Sequence, residues 1–298
     1  MKKQNGALRL LPCLDSDEIA ATRREELSIP RSVAAQLGRS AVDAAKAGEY
    51  QDSAGKRVDW RDPVQAACAA KRSIPPDTPL PEPETGPFPE TRVQVSNETT
   101  LGAARKLVDQ GARPLALNFA NGVHPGGGFL SGARAQEEVL CRSSALYLTL
   151  AGDPMYDAHR QRPRPDSTDW AILSPDVPVF RTDCGQPLAK PWLLSFITCA
   201  APVAPVIGQP EAGGLLEARI HRVLAIAAAY GYTVLILGAW GCGAFGNAPQ
   251  RTAEDFRHAL ETAFAGAFSG VRFAITDWSP ERRYLGPFRK VFEAAPGK

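Results

Sequence analysis

Two stretches of this chain, "RPLALNFAN" (residues 113–121) and "YTVLILGAW" (residues 232–240), are apolar almost throughout rather than at alternate positions. A strand of that kind is buried on both faces, which requires helices above and below the sheet. The rest of the sequence supplies them. "RVQVSN" reads as a strand and "TTLGAARKLVDQG" as a helix started by Thr99 or Thr100 and stopped by Gly111. "AQEEVLCRSSALYLTL" reads as one helix with Val139, Leu146 and Leu150 on a common face. "WAILSPDVPVF" and "WLLSFITCA" read as strands, "GGLLEARIHRVLAIAAAYG" and "APQRTAEDFRHALETAFAG" as helices, and "VRFAITDW" as a final strand. Such alternation predicts a three-layer α/β domain with a mixed or parallel sheet, and no internal repeat is visible.

The first ninety residues differ. "DEIAATRREELSIPRSVAAQLGRSAVDAAKAGEY" is Ala-rich with mixed charges and reads as helical, broken at Pro30. Seven prolines then fall between Pro75 and Pro89. Proline fixes φ and removes a donor, so this segment reads as an extended connector or a wrapping arm. The expected organisation is therefore an N-terminal helical extension with a Pro-rich connector over residues 1–90 and a folded α/β domain over 91–298.

Net charge is +2 on 298 residues, which gives no electrostatic case for a general nucleic-acid binder. The six cysteines include no C-x-x-C pair and the four histidines form no metal-binding pattern, so neither a zinc site nor a disulfide framework is expected. The Lys-rich N-terminus is broken by Arg9 and Asp15 too early for a signal peptide, and no run approaches the ~18 apolar residues of a membrane span. Reduced thiols and a cytoplasmic location are the expectation, with no membrane partner.

Two glycine loops sit where α/β sheets bind ligands, beyond the carboxyl ends of strands. Gly126, Gly127 and Gly128 lie between a buried strand and a helix. The second loop, "GAWGCGAFGNAP" (residues 238–249), lies between a strand and a helix N-terminus, the arrangement that cradles phosphate oxygens with backbone N–H groups. It lacks the Gly-Lys-Ser/Thr ending of a Walker A loop, and too little chain follows it for a dinucleotide fold. Gln136, Glu137 and Glu138 open the helix after the triple glycine. Taken alone, acids in a first helical turn only balance the macrodipole. Beside a diphosphate cradle, paired carboxylates point to acid–base chemistry on a sugar attached to that diphosphate.

The three glycines, a seven-residue spacer and Gln136-Glu137-Glu138 resemble the signature of the microbial-type poly(ADP-ribose) glycohydrolases, whose catalytic domain is a macrodomain. "WGCGAFGN" (240–247), "NFAN" (118–121), "SPDVPVFR" (174–181) and the N-terminal "RREEL…GEY" segment fit as well. The resemblance implies a macrodomain-like three-layer α/β/α fold with a mixed central sheet and an N-terminal helical extension. It implies hydrolysis of ribose–ribose O-glycosidic bonds in poly(ADP-ribose), or on an ADP-ribosylated protein, with ADP-ribose as product and no cofactor or metal. Glu138 would be the catalytic acid/base, Glu137 would hold a ribose hydroxyl, and Gln136 would position the pair. Asn121 and Phe245 would meet the distal ribose. The backbone of Gly126, Gly127 and Gly128, and the loop Gly241, Cys242, Gly243, Ala244, Phe245, Gly246 and Asn247, would bind the diphosphate. Adenine would lie near Glu98 and Thr99. A reader that binds ADP-ribose without cutting it, and a hydrolase of another ADP-ribosyl linkage, share the two loops; the Gln-Glu-Glu triplet favours an enzyme. A helix N-terminus favours an ionised carboxylate, whereas a general acid needs a proton, so the substrate's diphosphate is expected to raise the pKa of Glu138.

Overall fold

The structure, a computed structural model, describes residues 7–82 and 88–293. The chain opens with a short strand, β1 (Ala7–Leu10), then two helices, α1 (Asp17–Glu26) and α2 (Arg31–Ala47). Ser16 caps α1 by accepting from the Ile19 N–H, and Asp17 and Glu18 occupy the first turn, where the helix dipole favours acids. Pro30 stands just ahead of α2, so the expected break falls there. A small hairpin, β2 (Glu49–Gln51) and β3 (Arg57–Asp59), leads through α3 (Arg61–Ala70) to β4 (Arg72–Ile74). The proline-rich connector has no regular structure where it is described, and its residues 83–87 lie outside the described residues. Arg222 ties its start down by donating to the carbonyls of Pro75 and Thr78.

The strand–helix alternation follows: β5 (Glu90–Ser96), α4 (Thr100–Asp109), β6 (Leu115–Ala120), α5 (Gln136–Ser143), α6 (Leu146–Leu150) and α7 (Pro154–Arg160). Then come β7 (Ala171–Arg181), β8 (Pro187–Ala200), α8 (Ala204–Ile207), α9 (Glu211–Ala229), β9 (Val234–Leu237), α10 (Pro249–Glu261), β10 (Gly270–Ala274) and α11 (Leu285–Val291). The helix expected over residues 135–150 is two helices. Ser144 is extended between them and bridges to Val179. Its hydroxyl donates to the Leu140 carbonyl and accepts from the Leu146 N–H, the local competition by which serine interrupts helices. The two apolar runs expected to continue as strands to Trp240 and Trp278 stop at Leu237 and Ala274, and their ends become loops.

The main sheet has eight strands in the order β1-β5-β10-β9-β6-β8-β7-β4. All neighbours from β1 to β8 are parallel, while β7 runs antiparallel to both β8 and β4. This is the expected mixed, mostly parallel sheet. Alternate residues face opposite layers. Val93, Leu117, Leu235 and Phe273 pack with α9, α10 and α11 on one side, where Phe273 lies against Phe256, Phe288 and Phe292. Ala116, Ile236 and Phe196 pack with α2 to α6 on the other. The first ninety residues carry three helices, α1 to α3, and also supply both edge strands of this sheet, β1 and β4. The carboxyl ends of β5, β6, β9 and β10 come together along one rim.

Candidate active site

Gln136 fixes the start of α5 to the end of β6. β9 pairs with β6 only at Leu115 and Ala116. Beyond them the Gln136 side chain provides the hydrogen bonds: its Oε1 accepts from the Phe119 N–H at 2.9 Å, and its Nε2 donates to the Leu117 carbonyl at 2.8 Å and to Thr100 Oγ1 at 3.1 Å. A helix-opening residue is thereby locked to the rim of the sheet, and the two carboxylates after it inherit that position.

Glu137 is 3% exposed. It accepts from Asn118 Nδ2 at 3.2 Å and from the Asn121 N–H at 2.7 Å. Burial pushes its carboxyl up to about 8, with the charge of Glu138 adding, against the opposing hydrogen bonds from Asn121, Asn118 and Gly126. Glu138 accepts from the Gly128 N–H at 2.9 Å, and its Oε2 is buried with no hydrogen-bond partner.

The triple glycine curls over this pair. Gly126 and Gly127 have φ of 72° and 58°, the left-handed region that side chains disfavour. A Cβ on Gly127 would come within 3.1 Å of Glu137 Oε2 and closer still to Glu138 Oε1. Two of the glycine amides expected to meet a diphosphate are engaged inside the protein: Gly127 donates to the His124 carbonyl and Gly128 donates to Glu138. This loop therefore seats the carboxylates.

The second glycine loop is built differently. Gly241 and Gly246 again have positive φ, and a Cβ at Gly241 would collide with Ala201 and Asn247. Among the described residues, the N–H groups of Gly241, Gly243, Ala244 and Phe245 donate to no protein acceptor. Gly243 and Ala244 are exposed. Ahead of the N-terminus of α10, such a set of unused donors is suited to phosphate oxygens.

Between these elements lies a cavity of about 740 Å³, within the size range of small-molecule sites. Thr99, Phe119 and Gln136 form one wall, Ala239 and Gly243 come from the second loop, and Trp278 and Tyr284 face them from the segment after β10. Arg24, Arg134 and Arg283 add positive charge at its border. Of the Gln-Glu-Glu triplet only Gln136 faces this cavity; the carboxylates lie buried beside it.

The sequence model of a family described as microbial-type PARG, catalytic domain, matches residues 38–182. A poly(ADP-ribose) glycohydrolase structure from Thermomonospora curvata is 38% identical with a TM-score of 0.81, covering 87% of this chain and 99% of that one. The chain belongs to the microbial-type poly(ADP-ribose) glycohydrolase family. The T. curvata protein bound to the inhibitor ADP-HPD matches at 38% identity and a TM-score of 0.80, covering 87% and 99% of the two chains. The Deinococcus radiodurans glycohydrolase in complex with ADP-ribose matches at 40% identity and a TM-score of 0.70, covering 77% and 96%. No curated protein matches the chain.

Of the residues of the family signature, Glu137 is held by the Asn121 N–H, Glu138 by the Gly128 N–H, and Gln136 by β6 and Thr100. Asn121 also accepts from the Val123 and His124 N–H groups through Oδ1, so its side chain shapes the loop. In the second loop Cys242 and Asn247 point inward. The Cys242 thiol is pushed up to about 12 by burial, and Asn247 Nδ2 braces the loop on the Pro202 and Gly241 carbonyls. Phe245 is half-buried and packs on the core, while its carbonyl accepts from the Ala204 N–H. Glu98 and Thr99 reach the cavity wall with their side chains already engaged. Burial opposes ionisation of Glu98, but Lys106, Ser96 and Arg272 hold its carboxyl below the ordinary range. Thr99 caps α4 through Gly102 and donates to Asp183 at 2.8 Å.

Sequence reasoning missed Asn118, which sits inside β6 as the buried donor to Glu137, and the whole 275–284 wall. Asp277 builds that wall by accepting from the N–H groups of Ser279, Tyr284 and Leu285. The signal available was a tryptophan beyond the end of a buried strand; Trp278 is 44% exposed. Among the described residues no group of three or more His, Cys, Asp or Glu side chains is placed to hold a metal, and no helix is long and apolar enough to cross a membrane.

Proposed function

We infer that the chain hydrolyses the ribose–ribose O-glycosidic bonds of poly(ADP-ribose) and releases ADP-ribose. The observation that carries the reading is the buried Glu137–Glu138 pair, held by Asn118, Asn121 and Gly128 beside a nucleotide-sized cavity. Two adjacent carboxylates at one site retain a proton that isolated ones lose, because two negative charges so close are mutually unfavourable. In this reading Glu138 protonates the departing ribose oxygen and then takes a proton from the attacking water. Glu137 fixes a ribose hydroxyl, Gln136 locks the register of both acids, and Asn121 meets the distal ribose. The unused amides of Gly241, Gly243, Ala244 and Phe245 hold the diphosphate, Phe245 supports the distal ribose, and adenine lies between Thr99 and the Trp278–Tyr284 wall.

The relatives support the substrate: they are glycohydrolases of poly(ADP-ribose), seen with ADP-ribose and with ADP-HPD. Polymer attached to protein is part of the same reading, as is a cytoplasmic setting, with which the six free cysteines agree. The deciding measurement is release of free ADP-ribose from purified polymer over time, with wild type and Glu138→Gln in parallel. Binding of ADP-ribose with no release by the wild type would make the protein a reader and end the proposal.

A further inference from the structure

Seven of the eight residues of α5 are buried, and one of them is an arginine. Arg142 lies one turn beyond Glu138, so the two share a helix face. It is 1% exposed, and none of its three guanidinium nitrogens has a hydrogen-bond partner among the described residues. The two carboxylates whose charges act on Arg142 each have a buried oxygen that is also unpartnered among the described residues: Oε2 of Glu138 on the same helix, and Oδ1 of Asp183 in the turn between β7 and β8. Asp183 lies on the cavity wall, where Thr99 holds its other oxygen. An enclosed guanidinium without hydrogen bonds costs stability, and apolar residues of similar volume commonly outperform it. Its presence one turn from a reacting carboxylate calls for another explanation.

We propose that Arg142 is a positioning residue for proton transfer by Glu138, acting as a fixed positive charge behind the carboxylate, with Asp183 as its counter-charge on the cavity side. The proposal rests on the acid/base role of Glu138 given above. A positive charge behind Glu138 stabilises the carboxylate that appears when the proton passes to the departing ribose oxygen. The charged groups around this arrangement are few. Glu137 precedes Glu138 on α5. Arg134 belongs to the loop before it. Arg23 and Glu26 of α1 act on Asp183. Arg181 of β7 donates to the Arg142 carbonyl at 3.3 Å and to the Leu37 carbonyl of α2. The shifts agree with the geometry: burial lowers Arg142 and raises Asp183 to about 6, while each opposes the other's shift through its charge.

The test is the pH dependence of kcat and kcat/KM on poly(ADP-ribose) for the wild type, Arg142→Met, Arg142→Lys, Asp183→Asn and Glu138→Gln, with melting temperatures. Arg142→Met is expected to lower kcat about tenfold or more with little change in KM, and to move the basic limb of the profile upward by about one pH unit. Its melting temperature should be at or above that of the wild type. Arg142→Lys keeps the charge and should hold the limb near its wild-type position. Asp183→Asn removes the counter-charge and should move the limb the other way, which tests the idea even if Arg142→Met does not fold. A slower Arg142→Met enzyme with an unmoved limb and a lower melting temperature would make Arg142 a packing residue and overturn the inference. Glu138→Gln separates the two levels. Full activity in that variant removes the acid/base reading itself, whereas an inactive Glu138→Gln beside unchanged Arg142 and Asp183 variants removes only the role of Arg142.

Discussion

The N–H of Gly128 donates to Oε1 of Glu138 at 2.9 Å, so the last glycine of the triplet touches an acid in the first turn of the next helix. Ten residues separate them in sequence, and the Phe129–Ser131 turn closes that span. The same bond limits Glu138 to one free oxygen, the unpartnered Oε2. Replacing Glu138 by Gln keeps the shape and removes the titratable proton. Turnover on poly(ADP-ribose) is expected to fall by about 10²–10⁴-fold, while calorimetry still records ADP-ribose binding. Turnover at the wild-type rate would place the reacting proton elsewhere.

Gly127 is constrained twice, by its φ of 58° and by the two carboxylates under it. Gly127→Ala should therefore lose activity and also stability, by about 1–3 kcal/mol, because the new methyl group displaces Glu137 or Glu138. Urea denaturation and a turnover assay on the same sample check both. A variant as stable and active as the wild type would show that the loop yields more easily than its geometry indicates.

Glu137 makes stability depend on pH. Its carboxyl rises from 4.5 to about 8 on folding, so between those values the native state binds more protons than the unfolded state. Stability should fall as pH rises through that window, by on the order of a few kcal/mol, with the loss complete above it. Asp183, raised from 3.8 to about 6, contributes in the same direction over its own narrower window. Glu137→Gln should flatten the alkaline part of this dependence in urea titrations near pH 6 and pH 8.5. A parallel decline in wild type and variant would assign the dependence to other groups.

The amides of Gly243 and Ala244 are exposed and unused, so an acid placed there should repel a diphosphate without disturbing the fold. Gly243→Asp, whose Cβ meets open space, is expected to weaken ADP-ribose binding about tenfold or more at low salt and less at high salt, with an unchanged melting temperature. Unaltered affinity would move the diphosphate away from this loop.

Trp278 presents 44% of its surface beside the cavity. Base–aromatic stacking is worth about 1–3 kcal/mol, so Trp278→Ala should weaken ADP-ribose binding by roughly 5–150-fold while ribose 5-phosphate binding stays the same. Equal losses for both ligands would argue against adenine lying on this wall.

Apolar runs such as "RPLALNFAN" were legible because both faces of β6 are buried and only helices can cover them. The grouping of Gln136, Glu137 and Glu138 was legible because three consecutive positions at a helix start must share one end of it. The allocation of the glycine amides was not legible. Whether an N–H points at a ligand or at a neighbouring carboxylate depends on φ and ψ, which glycine leaves open. Trp278 and Tyr284 escaped because the apolar pattern of "VRFAITDW" continues past Ala274, where strand pairing has already stopped. Arg142 escaped because an arginine in the last turn of a helix ordinarily faces solvent and the helix dipole explains it.

The assignment of both outer strands to the first ninety residues bears on how the molecule assembles. β1 and β4 leave the ribosome before β5 and β7, the strands they cover, so each must await a partner made later. Until those partners arrive they stand alone, but at three or four residues each they are too small to associate with other chains on their own. Removing them reverses the risk: β5, with seven residues, and β7, with eleven, would each present an open edge to neighbouring molecules. A fragment cut at residue 90 to isolate the sheet should therefore aggregate, although both glycine loops and both carboxylates remain in it.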